Sequence, residues 1–84
     1  MEGNKTKIYV EVNVKFFPDG GMMPTEIIWE DGTRYEIDKV IDLRRAASLR
    51  AGGAGLRYTC MILGSPHYLF YEENQRWFVE AKNC

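Results

Sequence analysis

The 84-residue chain reads as an all-β protein: a small six-stranded antiparallel sheet, barrel-like in the SH3-like manner, with at most one short helical turn. Three observations predict it. Ile8, Val10, Val12, Val14 and Phe16 alternate with Tyr9, Glu11, Asn13, Lys15 and Phe17, the period of a half-buried strand. Two β-rich runs flank Asp31-Gly32, the dipeptide of tight hairpins. The final third is three apolar runs separated by turn residues, which reads as a meander.

The elements follow in order. The first strand spans about residues 6–17 and ends at Pro18-Asp19-Gly20-Gly21, whose residues favour a turn. Pro24 delays the next strand, which runs through Ile27, Ile28 and Trp29 to the Asp31-Gly32 turn and returns through Tyr35 and Ile37. Residues 38–51 admit two readings. As a helix, Asp38 would cap it, Val40, Ile41, Ala47 and Leu49 would form its apolar face, and Gly52 would stop it. As a strand, the chain bulges near Asp38-Lys39 and continues to about Leu43, followed by a loop or a single helical turn; β-branched Val40 and Ile41 favour this version. Leu56 to Leu63 then alternates, with Leu56, Tyr58, Cys60 and Ile62 on one side. Gly64-Ser65-Pro66-His67 breaks it, Tyr68 to Tyr71 resumes, and Glu72-Glu73-Asn74-Gln75 turns the chain into Arg76 to Glu80. Strands this apolar need closure or a second layer to cover them.

Residues 1–84 are expected to form one domain with a radius of gyration of about 12 Å. The net charge of −1 argues against a nucleic-acid coat protein, whose domain is expected to be strongly basic. No apolar run approaches a membrane-spanning length, and the N-terminal residues lack the apolar core of a signal peptide, so a cytoplasmic location is expected. Two cysteines give no disulfide framework; Cys60 sits in an apolar strand and reads as a small buried hydrophobe, and Cys84 as a terminal thiol.

Catalytic chemistry finds little support. The single histidine, His67, lies in a turn with Ser65, too close in the chain for a converging triad. No Cys-x-x-Cys or spaced histidine pair offers a zinc site, and Asp31-Gly32 lacks the repeated carboxylates of a calcium loop. No metal, cofactor or enzymatic activity is expected.

Charge asymmetry is more informative. Residues 43–71 contain no acid, although the chain holds 12, and Arg44, Arg45, Arg50 and Arg57 bracket a Gly52-Gly53-Ala54-Gly55 cluster. Successive backbone N–H groups in such a loop can cradle an anion, yet neither the phosphate-loop nor the dinucleotide pattern is present. A flexible connection needing positive φ is the simpler reading. The candidate binding residues are therefore Arg44, Arg45, Arg50, Arg57, Gly52, Gly53 and Tyr58, with Tyr68 and Tyr71 as further stacking candidates. Together they suggest a binding or adaptor module for a protein or peptide partner. The rival is single-stranded nucleic acid, its phosphates met by arginines and its bases stacked on tyrosines. A homodimer through an exposed edge of strand 6–17 is a further option. Trp29 and Trp77, each on a strand beside a turn, read as core anchors.

The run from Ile27 to Asp42, with Arg57-Tyr58-Thr59 and the closing Leu69-Phe70-Tyr71-Glu72 and Trp77-Phe78-Val79-Glu80, resembles a group of short uncharacterised bacterial proteins. The similarity covers roughly residues 24–80. It implies a stand-alone β domain of bacterial cytoplasmic origin and carries over no catalytic residue.

Overall fold

Strand-forming alternation is realised along most of the chain. The structure, a computed structural model, describes residues 7–46 and 55–80. It contains β1 (Lys7–Phe16), β2 (Met22–Ile28), β3 (Arg34–Glu36), β4 (Lys39–Arg45), β5 (Gly55–Ile62), β6 (Ser65–Glu72) and β7 (Trp77–Glu80). They form one antiparallel sheet in the order β3-β2-β1-β7-β6-β5-β4, curled into a half-barrel, and the described residues include no helix. The radius of gyration is 12.6 Å.

Two bent segments make the curl. The first half of β1 pairs with β7, from Lys7 opposite Glu80 to Val10 opposite Trp77. Its second half pairs with β2, from Glu11 opposite Ile28 to Phe16 opposite Met22. The other corner is the passage from β3 to β4. Ile37 N–H donates to Thr25 O on β2 at 2.9 Å, and Asp38 N–H donates to Met61 O on β5 at 2.8 Å. Successive amides of an extended chain point to opposite sides, so one short stretch ties the two ends of the sheet together.

Six strands are expected, and the described residues form seven. The extra one arises because Tyr35–Arg45 is interrupted at Ile37-Asp38, close to the expected bulge, and a true bulge follows where Ile41 is inserted between Val40 and Asp42. The strand reading of residues 38–45 holds, and it continues through Arg45 rather than ending at Leu43. The helical version would have covered residues 47–51 as well, which lie outside the described residues. The Asp31-Gly32 hairpin and the β5–β6–β7 meander are as expected.

Pro24 and Pro66, both expected to interrupt strands, lie inside β2 and β6. The turn before β6 is only Leu63-Gly64, so Ile62 and Ser65 close the hairpin as a pair. A closing pair is hydrogen-bonded, which makes the next pair, Met61 and Pro66, a non-hydrogen-bonded one. The missing proline N–H therefore faces away from β5 and removes no rung of that ladder. Pro24, opposite Val14 and almost fully buried, escapes the same way beside the bulge at Thr25.

Directly opposed residues share a face. The inner face gathers Val10, Val12 and Val14 of β1, Ile27, Tyr58, Cys60, Ile62, Leu69 and Trp77, with Ile37 at the corner. Tyr58 crosses this interior to donate its hydroxyl to Met22 O at 3.2 Å, and its ring meets Trp77 at 5.5 Å. Cys60 is completely buried, and burial pushes its thiol pKa up to about 11. Trp77 is a core anchor as expected; Trp29 is half-buried against the edge of Tyr35.

Substitution can read the backbone at Gly55 and Leu63. A Cβ on Gly55, whose φ is +155°, would lie 2.1 Å from Tyr71 O, a backbone atom that cannot swing aside. Gly55→Ala is expected to destabilise the fold by at least about 2 kcal/mol in urea denaturation. Leu63 has φ 52° and is 83% exposed in a two-residue turn that favours asparagine before glycine. Leu63→Asn is expected to stabilise the chain by about 0.5–1 kcal/mol in the same measurement.

Candidate functional site

The arginine-rich segment does not form one surface. Arg44 and Arg45 are neighbours in β4, and alternation sends them to opposite faces. Arg44 ends a row running Tyr9, Phe78, Phe70, Arg57, Arg44 across β1, β7, β6, β5 and β4 on the outer face. Arg45 ends the adjacent inner-face row Val10, Trp77, Tyr71, Leu56, Arg45. Arg50, Gly52 and Gly53 lie outside the described residues.

Tyr58 is corrected outright. It is 1% exposed and belongs to the core, so it presents no ring to a ligand. Its place on the apolar side of the Leu56–Ile62 alternation dictates this. Burial also raises the pKa of its hydroxyl above the ordinary value. Tyr71 is half-buried against Trp77 at 4.6 Å. Of the three tyrosines considered for stacking, only Tyr68 is at the surface, 48% exposed.

The outer row has a structure of its own. Phe70 and Phe78 stack at 4.9 Å with an interplanar angle of 7°, and both are almost fully buried. Tyr9 and Tyr68 flank them edge-on, at 6.0 Å from Phe78 and 6.3 Å from Phe70. Cations lie over the rings: Lys7 Nζ at 4.9 Å from Phe78, Arg76 at 5.0 Å from Tyr9 and Arg57 at 4.4 Å from Tyr68. Such stacking suits an amphipathic side chain, whose stem covers apolar surface while its charge sits on the ring face.

Arg57 is the unusual member. It sits directly opposite Arg44, a like-charge pairing that is unfavourable unless each finds relief. Arg44 bonds Asp42 at 2.9 Å through Nε, and the carboxylate holds its guanidinium pKa above the ordinary value. Arg57 turns instead onto Tyr68. No acid among the described residues pairs with it, and its Nε–H is buried with no hydrogen-bond acceptor. A buried donor left unsatisfied costs about 1–3 kcal/mol.

The other end of the row is already satisfied. Glu72, 8% exposed, accepts hydrogen bonds from Lys7 Nζ and, at 3.0 Å, from Tyr9 Oη. Between β1 and the β6–β7 turn, beside Tyr9, Glu11 and Arg76, lies an open depression of about 360 Å³. Among the described residues, no three His, Cys, Asp or Glu side chains are grouped so as to hold a metal ion. None of them forms a helix long and apolar enough to cross a membrane. His67 is exposed on β6, opposite Cys60.

β1, the core of strand 6–17, pairs with β7 over Lys7–Val10 and with β2 over Glu11–Phe16, so each half of it is paired on one side. The long terminal strand is β4. No protein-family model, curated protein or solved structure matches the chain.

The Lys7–Glu72 pair makes stability depend on pH. Burial works to raise the Glu72 carboxyl pKa, but the hydrogen bonds from Lys7 and Tyr9 outweigh it and hold it below the ordinary 4.5. Lys7 is held above its ordinary 10.5, chiefly by the hydrogen bond to Glu72. The Glu72 contribution is thus present above the unfolded value and is lost as pH falls through the lower folded one. That of Lys7 is present below 10.5 and is lost as pH rises through its raised value. Lys7→Met is expected to lower stability at neutral pH by about 1–2 kcal/mol and to flatten the decline below about pH 4.5 in urea melts across pH.

Proposed function

We propose that the chain is a small binding or adaptor module that takes an acidic segment of a protein or peptide partner on the outer face of β4, β5 and β6. The reading rests on one observation: Arg57 lies on the Tyr68 ring, opposite Arg44, and among the described residues it has no acid partner and its buried Nε–H no acceptor. A carboxylate approaching the guanidinium would give Arg57 a charge partner. It would also relieve the like-charge pairing with Arg44, and Tyr68 would supply aromatic contact area. Arg44, tied to Asp42, tunes the field rather than acting as a second free cation.

The same geometry weighs against a nucleic-acid strand. A polyanion needs a track of cations, each contributing to a steep salt dependence. Here Arg45 belongs to the opposite face, Arg44 is partly neutralised, and the outer face also carries Glu11, Asp42 and Glu72. One or two carboxylates match this mixed surface better. Enzymatic chemistry plays no part in the proposed role.

The test uses a labelled extended peptide of alternating valine and glutamate, with fluorescence anisotropy for affinity and amide shifts for location. Binding is expected to perturb Arg57 and Tyr68, and Arg57→Ala is expected to weaken it about 10–100-fold, the loss of one hydrogen bond to a charged group. Absence of binding at millimolar peptide, or indifference to Arg57→Ala, overturns the proposal. Tighter binding of a single-stranded oligonucleotide, falling steeply with salt, would move the assignment to the nucleic-acid reading.

A further inference from the structure

The seven-strand order ends on β4, and a long terminal strand leaves a row of unpaired backbone groups. Ala46 N–H donates to Gly55 O at 3.0 Å, which extends the ladder with β5 past Arg45. Arg44 and Asp42, two and four residues before Ala46, therefore also bond toward β5, and the N–H and C=O groups of Leu43 and Arg45 point outward. No described strand pairs with that side. The same strand exposes two large apolar side chains, Ile41 at 52% and Leu43 at 48%. The opposite end of the sheet is the three-residue β3, far less able to template pairing.

The charges along β4 select the occupant. Asp42 and Arg44 flank Leu43 and lie together on the outer face, 37% and 60% exposed at their side chains. If a second, antiparallel β4 is placed on a two-fold axis through Leu43, Leu43 meets its own copy as a hydrogen-bonded pair. Asp42 of each chain then faces Arg44 of the other, twice, and Arg45 faces Ile41. Moving the axis one residue either way puts Asp42 against Asp42 or Arg44 against Arg44, which is repulsive. The strand is self-complementary in one register.

We propose that a second copy of this chain pairs with the free edge of β4 through that register, joining two sheets into one continuous sheet in a two-fold dimer. Isologous pairing of this kind closes on itself, so it consumes the edge instead of propagating. It also places the two Arg57 side chains on one outer face, three strand spacings apart, about 15 Å. The dimer stands independently of the acidic-ligand proposal, because it uses the backbone edge of β4 and not Arg57.

Sedimentation equilibrium with charge-swapped variants tests it. The unaltered chain is expected to approach twice its 9.7 kDa mass as concentration rises. Asp42→Arg alone, and Arg44→Asp alone, each replace two attractive cross-strand pairs by two repulsive ones, and each is expected to weaken the dimer at least tenfold. Mixed one to one, the two variants regain complementary pairs and are expected to form a heterodimer near the original affinity. Cooperative urea melts of the variants establish that they fold. A chain that stays monomeric at millimolar concentration, a dimer indifferent to both substitutions, or the absence of rescue in the mixture each overturns the proposal. Failure of peptide binding at Arg57 leaves these outcomes unaffected.

Discussion

Two consecutive amides hold this fold in its curled form. Ile37 reaches back to Thr25 of β2, and Asp38 reaches forward to Met61 of β5. Because neighbouring amides in an extended chain face opposite ways, two adjoining peptide units join what would otherwise be the two loose ends of the sheet. The buried side chain of Ile37 at this corner adds apolar contact to the bonds. β1 performs the complementary service at the other corner, dividing its length between β7 and β2. Everything between these corners, including the interior lined by Tyr58, Cys60 and Leu69, depends on the curl they impose.

The curl also separates two kinds of stabilisation. Inside, valines, isoleucines, a tryptophan and a tyrosine remove apolar surface from water. Outside, Phe70 and Phe78 are buried as thoroughly, flanked by other rings and overlaid by charged side chains with long stems. A small domain cannot bury a large fraction of its surface in one core, and a second apolar row on the outer face extends what this one can reach. The arginine at the end of that row is where the arrangement stops being self-sufficient.

Much of this was legible in the sequence, for reasons that can be named. The alternation from Ile8 to Phe17, the Asp31-Gly32 turn and the closing meander are local patterns, and local patterns survived into the structure. The burial of Tyr58 was legible too, since it shares a side with Leu56, Cys60 and Ile62; basic neighbours drew attention from its parity. That Arg44 and Arg45 part company follows from the same period of two. The prolines were less readable. Whether Pro24 or Pro66 breaks a strand depends on which rung of the ladder it occupies, and that is set by pairing with distant residues. The identity of the terminal strand is likewise a property of the sheet order, so Ile41 and Leu43 gave no local sign that they would remain at the surface.

Cys60 gives the interior a private clock. Its sulfur lies at the centre of the strand that faces the curl, sealed from solvent, with its proton held tightly by the apolar surroundings. Chemistry at that sulfur must wait until the corners at β1 and Ile37 let go. The rate at which a thiol reagent reaches Cys60 therefore reports how often the sheet uncurls.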